Sequence, residues 1–156
     1  MVPIAPDWLY RFIYRHGVRA ARLVWWFTRP RTTGAHVMIW CDGKVVLVRT
    51  SYRKDWMAPG GGLKRGETHL EGAVREVAEE VGLILSPEDL RLVHVVEHRP
   101  DYRRDRLHLF ETHLATLLPL QLDNREVVEA RWVTREEALS LHVTQLFRDY
   151  LNSKAD

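Results

Sequence analysis

Residues Gly61 to Leu83 read GGLKRGETHLEGAVREVAEEVGL, and this stretch constrains the fold more than any other. At about 100° per residue, Ala73, Val74, Val77, Ala78 and Val81 fall on one arc of a helix. Glu76, Glu79 and Glu80 fall on another, at spacings i, i+3 and i+4. Such a helix must lay its apolar arc on another layer and project three carboxylates together from its side. Thr68 with Glu71 forms a capping box that starts it, and Gly82 suits the residue that ends it. The glycines just before it let the backbone approach a ligand closely and take positive φ. Arg75 stands beside the acidic face, and Glu67 is placed to pair with it and fix the loop against the helix.

Carboxylates this close repel one another unless something positive lies among them. Hard divalent cations take oxygen ligands. Clustered carboxylates favour Mg²⁺ or Mn²⁺, with substrate phosphates completing the shell. An acidic site can then hold an acidic substrate through the intervening cations.

The remaining 133 positions supply the frame. A chain of 156 residues suits one domain, and the hydropathy pattern alternates elements around one core. AHVMIWCDGKVVLVRT reads as a hairpin about Asp42-Gly43, a pair that favours a type I′ turn. TRPRTTG before it reads as a linker, and SYRKDWMAPGGG after it as a loop. LRLVHVVEHR and RLHLFETHLATLL read as strands around the charged loop PDYRRDR, and EVVEARWV as another. Thr134 and Glu137 make a second capping box, opening a helix to about Tyr150 that accommodates a break. Helix, hairpin, helix, strands, helix is the order of an α/β or α+β sandwich.

Charge is uneven along the chain. Residues 1–36 carry six Arg against one Asp, whereas residues 37–156 carry 17 basic and 20 acidic side chains. Residues 6–27 read as an amphipathic helix, with Trp8, Phe12, Ile13, Leu23 and Phe27 on an apolar arc and Arg11, Arg15, Arg19 and Arg22 on another face. Three placements suit it: packing on its own domain, a homodimer contact, or an anionic membrane surface. The first two are favoured over the third. No run approaches the ~18 apolar residues that span a bilayer. The lone Cys41 fits a reducing compartment. No secretion signal is expected at the N-terminus, and a cytoplasmic location is.

With the glycines and glutamates in place, the segment resembles the signature of the Nudix family, G-x5-E-x7-R-E-U-x-E-E-x-G-U with U apolar. Gly61, Glu67, Arg75, Glu76, Val77, Glu79, Glu80, Gly82 and Leu83 fill every specified position. The preceding WMAPGG also looks like the family's approach to the motif. Ala58 stands where a larger apolar residue is usual, and Lys64 where an acid is frequent.

The resemblance implies an α/β/α sandwich with a mixed sheet over residues 31–156, and it does not cover residues 1–30, which the spacing above makes an N-terminal amphipathic helical extension. It implies a pyrophosphohydrolase, dependent on Mg²⁺ or Mn²⁺, cleaving a nucleoside diphosphate linked to another moiety. Glu76, Glu79 and Glu80 become metal ligands, with the carbonyl of Gly60 or Gly61. Glu79, Glu80, Glu67 and Arg75 become the catalytic set, Glu67 and Arg75 in support. The partner is a small nucleotide derivative, with no nucleic acid expected. Pyrophosphate removal from RNA 5′ ends, or a catalytically inactive nucleotide-sensing domain, are the alternatives. Glu97, Glu111, Glu126 and Glu129 are candidates for the general base, beside a glutamate of the motif. Arg99, Arg103 or Arg104 is placed to meet phosphate, Tyr102 to stack on a base, and Trp56 to wall the core or the cleft.

Overall fold

The computed structural model describes residues 6–29, 31–98, 104–122 and 125–154. The elements are α1 (Asp7–Thr28), β1 (Arg31–Cys41), β2 (Lys44–Thr50), β3 (Gly60–Gly62), α2 (His69–Val81), β4 (Arg91–His98), β5 (Arg104–His113), β6 (Val127–Thr134), α3 (Arg135–Ser140) and α4 (Gln145–Ser153). A single 3₁₀ turn, Pro87–Asp89, leads into β4.

The sheet runs β4-β5-β1-β2-β6 and is mixed: β1 pairs parallel with β5 and antiparallel with β2. Ala35 to Ile39 of β1 and Val45 to Val48 of β2 are buried and, apart from His36, apolar, because both faces of the sheet are covered there. Ala35, Val37 and Ile39 of β1 and Val46 and Val48 of β2 meet Ala73, Val77 and Val81 of α2. The alternate residues Met38, Val45 and Leu47 meet Ala138, Phe147 and Leu151 of α3 and α4 on the other face. The period of two along each strand thus builds two cores back to back, giving the expected α/β/α sandwich.

Local signals act where they were read. Asp42 (φ 48°) and Gly43 (φ 69°) both take the left-handed conformations of a type I′ turn. Both capping boxes close, at Thr68/Glu71 and Thr134/Glu137, and Gly82 ends α2 at φ 70°. The C-terminal helix is broken, as α3 and α4.

The expected linker is a correction. Arg31 to Gly34 form the first third of β1, in register with Arg104 to Leu107 of β5. A parallel partner more than 70 residues away leaves no local trace.

The edge of β1 opposite β5 is divided. Gly34, Ala35 and His36 pair with β3, whereas Trp40 and Cys41 pair with β2. A cleft of about 950 Å³ is lined by Arg31 to Gly34 of β1, Gly60 to Gly62 of β3, Thr50 at the end of β2 and Glu76 and Glu80 of α2.

α1 is one unbroken helix through Gly17. Packing of its apolar arc on the domain is not what the structure holds: Trp8, Phe12, Ile13, Leu23 and Phe27 are 54–72% exposed. α1 meets the domain by polar and ring contacts instead. Asp7 lies 3.8 Å from Arg125, whose guanidinium stands 4.5 Å over Tyr10, and Tyr14 stacks on Tyr52.

Candidate active site

The cleft wall is built from β3 and the side of α2. Gly60, at φ 144°, runs so close to β1 that a Cβ there would lie 2.2 Å from the Ala35 carbonyl oxygen. Only glycine allows that approach. The Gly60 N–H in turn donates to Glu80 Oε2 at 2.9 Å, fixing a carboxylate that is only 7% exposed. Gly61 leaves room for the Glu76 carboxyl, whose atoms stand 2.9–3.1 Å from where its Cβ would be.

Arg75 organises the loop. Its Nε and Nη2 donate to the two oxygens of Glu67 at 2.5 and 2.9 Å, a bidentate fork. Nη2 also reaches the Gly62 carbonyl at 3.1 Å, and Nη1 reaches Glu76 at 2.7 Å and Glu79 at 3.0 Å. The hydrogen bonds from Arg75, and then from the Lys64 N–H, hold the Glu67 carboxyl down at about 2. Glu67 therefore ties loop to helix as a permanent anion, in the pairing its position announces.

The three helix carboxylates have different surroundings. Glu76 and Glu80 line the cleft. Burial raises Glu76 above the ordinary carboxylate range, with the neighbouring charges of Glu79 and Glu126 adding to it and Arg75 opposing. Glu79 is turned away, bonded to Lys64 Nζ at 3.0 Å and to Arg75. These contacts, Lys64 first, lower its carboxyl. Among the described residues no three carboxylate, imidazole or thiolate groups converge on one point. The donor set still suits a hard cation: two carboxylates of one helix face the cleft beside a glycine cradle that keeps a Cβ out. Glu79 on leaving Lys64, a backbone carbonyl of Gly60 or Gly61, or substrate phosphate would complete the shell of a bound cation.

The four general-base candidates separate. Glu97 is exposed on β4, an edge strand of the sheet. Glu111 is buried at the far face, hydrogen-bonded by Tyr150, Arg91 and Lys154. Glu129 is bound by Arg49 at 2.6 Å and by Arg131. Glu126 alone of the four lines the cleft, where it accepts a 2.6 Å hydrogen bond from Tyr52. Burial, then the Glu126 charge, push the Tyr52 phenol far above its ordinary range, so it stays a donor.

Trp56 is a wall of the core and not of the cleft. It is 7% exposed, packed in the α3/α4 core, with the Arg49 and Arg131 guanidinium groups over its ring at 5.8 and 5.2 Å. Arg99, Tyr102 and Arg103 lie outside the described residues. Arg104 opens β5 and is exposed; its register partner Arg31 lines the cleft. Arg31, Arg53, Tyr52 and His36 are cleft residues the sequence did not single out. His36 carried a signal, as a polar residue inside an apolar strand. It is 8% exposed, bonded through Nδ1 to the Ala58 carbonyl at 2.9 Å, and its ring packs edge-on to Phe147.

The comparisons with known proteins agree with this architecture. The family model NUDIX domain matches residues 29–152. The chain is 30% identical over 115 residues to "Phosphatase NudJ" of Escherichia coli, covering 71% of this chain and 72% of the relative. Among solved structures it is similar to the MutT protein from Methanosarcina mazei Go1, at TM-score 0.70 and 25% identity, over 81% of this chain and 94% of that one. It shares the fold of a C. elegans Ap4A hydrolase, at TM-score 0.67 and 19% identity, over 78% and 93% of the two chains. With the motif complete and the family model spanning most of the sequence, the chain belongs to the Nudix hydrolase family.

Proposed function

We propose that this chain is a Mg²⁺-dependent pyrophosphohydrolase that cleaves the diphosphate of a nucleoside diphosphate linked to another moiety. The observation that carries the reading is the placement of Glu76, Glu80 and Glu126 on one cleft, against the Gly60–Gly62 backbone. Glu76 and Glu80, with Glu79 once released from Lys64, are the residues that would hold the metal. When bound, Mg²⁺ neutralises phosphate charge and lowers the pKa of a water.

The chain's own groups do the rest. Glu80 is held by the Gly60 N–H, so its carboxylate needs no reorganisation on binding. Arg75 and Glu67 keep the loop in place. Glu126, accepting from the Tyr52 hydroxyl, is the carboxylate available to take a proton from the attacking water. Arg31 and Arg53, on the cleft wall, are suited to phosphate oxygens. A cleft of about 950 Å³ is at the upper end of small-ligand sites, large enough for a nucleotide with a second group. The buried thiol of Cys41 suits the reducing cytoplasm.

The test is a panel of nucleoside diphosphate derivatives incubated with Mg²⁺, with products identified by mass. Because NudJ is described as a phosphatase, nucleoside triphosphates belong in the panel as well. The expected products are a nucleoside monophosphate and a second phosphate ester. Failure to hydrolyse any member would count against the reading.

A further inference from the structure

α1 carries a feature that hydrolysis does not use. At about 100° per residue, Trp8, Phe12, Leu23, Trp26 and Phe27 share one arc, and all are at least half exposed. Arg11, Arg15, Arg19 and Arg22 fall within an adjoining arc of about 80°, with Arg15 and Arg19 exposed and Arg11 and Arg22 half-buried. The opposite side, through Tyr10 and Tyr14, is the one that touches the domain. The domain thus holds this helix with its apolar arc turned outward.

We propose that α1 docks the protein on an anionic lipid surface, lying in the plane of the headgroups. An aromatic-rich apolar arc bordered by arginines is the pattern of an interfacial helix. The tryptophans Trp8 and Trp26 sit at the border between the two arcs, where an amphipathic ring meets the headgroups. The stems of the exposed Arg15 and Arg19 lie along the apolar surface while their guanidinium groups reach lipid phosphate.

Charge chooses this occupant over a second copy of the chain. The helix has a single acid, Asp7, and that acid is set against Arg125 of its own domain. Two copies joined by their apolar arcs would bring the exposed Arg15 and Arg19 of each together with no acid of the helix to oppose them. An anionic surface supplies the opposing charge to the exposed Arg15 and Arg19. Spanning is excluded for the described residues, since no helix is long and apolar enough to cross a membrane. Because Tyr14 stacks on Tyr52, the cleft is held about one helix diameter, ~10 Å, from the headgroups.

Flotation of the full chain with vesicles tests this. Phosphatidylcholine vesicles containing about 30% phosphatidylglycerol should bind it at least about tenfold better than pure phosphatidylcholine, and about 0.5 M salt should cut that binding about tenfold. The double variant Phe12→Ser/Phe27→Ser and the charge reversal Arg15→Glu/Arg19→Glu should each abolish binding. Both should leave the melting temperature and the hydrolysis of soluble substrate unchanged. Equal binding to neutral and anionic vesicles, or none to either, would overturn the proposal. So would a two-chain mass in solution that Phe12→Ser/Phe27→Ser halves, which would assign the arc to a dimer.

Discussion

Lys64 Nζ lies 3.0 Å from Glu79 Oε1, and Glu79, unlike Glu76 and Glu80, is not among the residues that line the cleft. The lysine stands where the family often has an acid, so the contact belongs to this chain's own sequence. Both side chains are more than half exposed, which limits the pair to a few tenths of a kcal/mol up to about 1. Lys64→Met should therefore lower the Mg²⁺ concentration for half-maximal rate by up to about fivefold, with no change in melting temperature. A metal titration of the two proteins reads this directly.

Arg75 makes a fork with Glu67 that lysine cannot copy. Arg75→Lys keeps the charge but loses the second hydrogen bond and the reach to Gly62. Turnover should fall about 10- to 100-fold, as for other residues that orient metal ligands. The conservative change Glu67→Gln should fall in the same range, since the amide cannot accept at both positions. Rates for both variants near wild type would show that the loop is placed by something else.

Two adjacent glycines should fail in different ways. Gly60→Ala places a Cβ against the β1 backbone at a φ that L side chains rarely take. It should destabilise the fold by at least about 1–3 kcal/mol. Gly61→Ala meets the Glu76 carboxyl instead. It should cost about tenfold in rate by displacing that carboxylate, with little change in melting temperature. Denaturation and turnover measured together separate the two.

Glu111 predicts an acid limit to stability. Burial opposes its ionisation, but hydrogen bonds from Lys154, Tyr150 and Arg91 outweigh it and hold the carboxyl at about 2, below its ordinary 4.5. Glu67 is also held at about 2. The unfolded chain therefore binds these protons first as pH falls. Their stabilisation is fully present above about 4.5 and is lost as pH approaches 2. Melting temperature should drop across that window, and the drop should be shallower in Glu111→Gln. An unchanged slope in the variant would show that Glu111 does not set it.

What the sequence made legible was local. The acidic face of α2, both capping boxes, the Asp42-Gly43 turn and Gly82 all act within a few residues, so their chemistry shows in the string. The pairings that complete the site do not. Tyr52 and Glu126 meet across 74 positions, and Arg31 joins the cleft only because β1 runs beside β5. The burial of Trp56 depends on α3, α4 and two arginines from β2 and β6 closing over it. The outward arc of α1 was visible as amphipathic, but which face meets the domain is decided by Tyr52 and Arg125, far along the chain.

The most direct test of the site is the Mg²⁺-dependent rate of wild type beside Glu80→Gln, on the best substrate from the panel. Glu80 is fixed by Gly60 and faces the cleft, so the amide should leave the fold intact. Wild type should turn over with Mg²⁺ and stop in excess chelator, and Glu80→Gln should be slower by at least about 100-fold at an unchanged melting temperature. Full turnover in chelator, or a near-wild-type rate in Glu80→Gln, would contradict the metal-centred site.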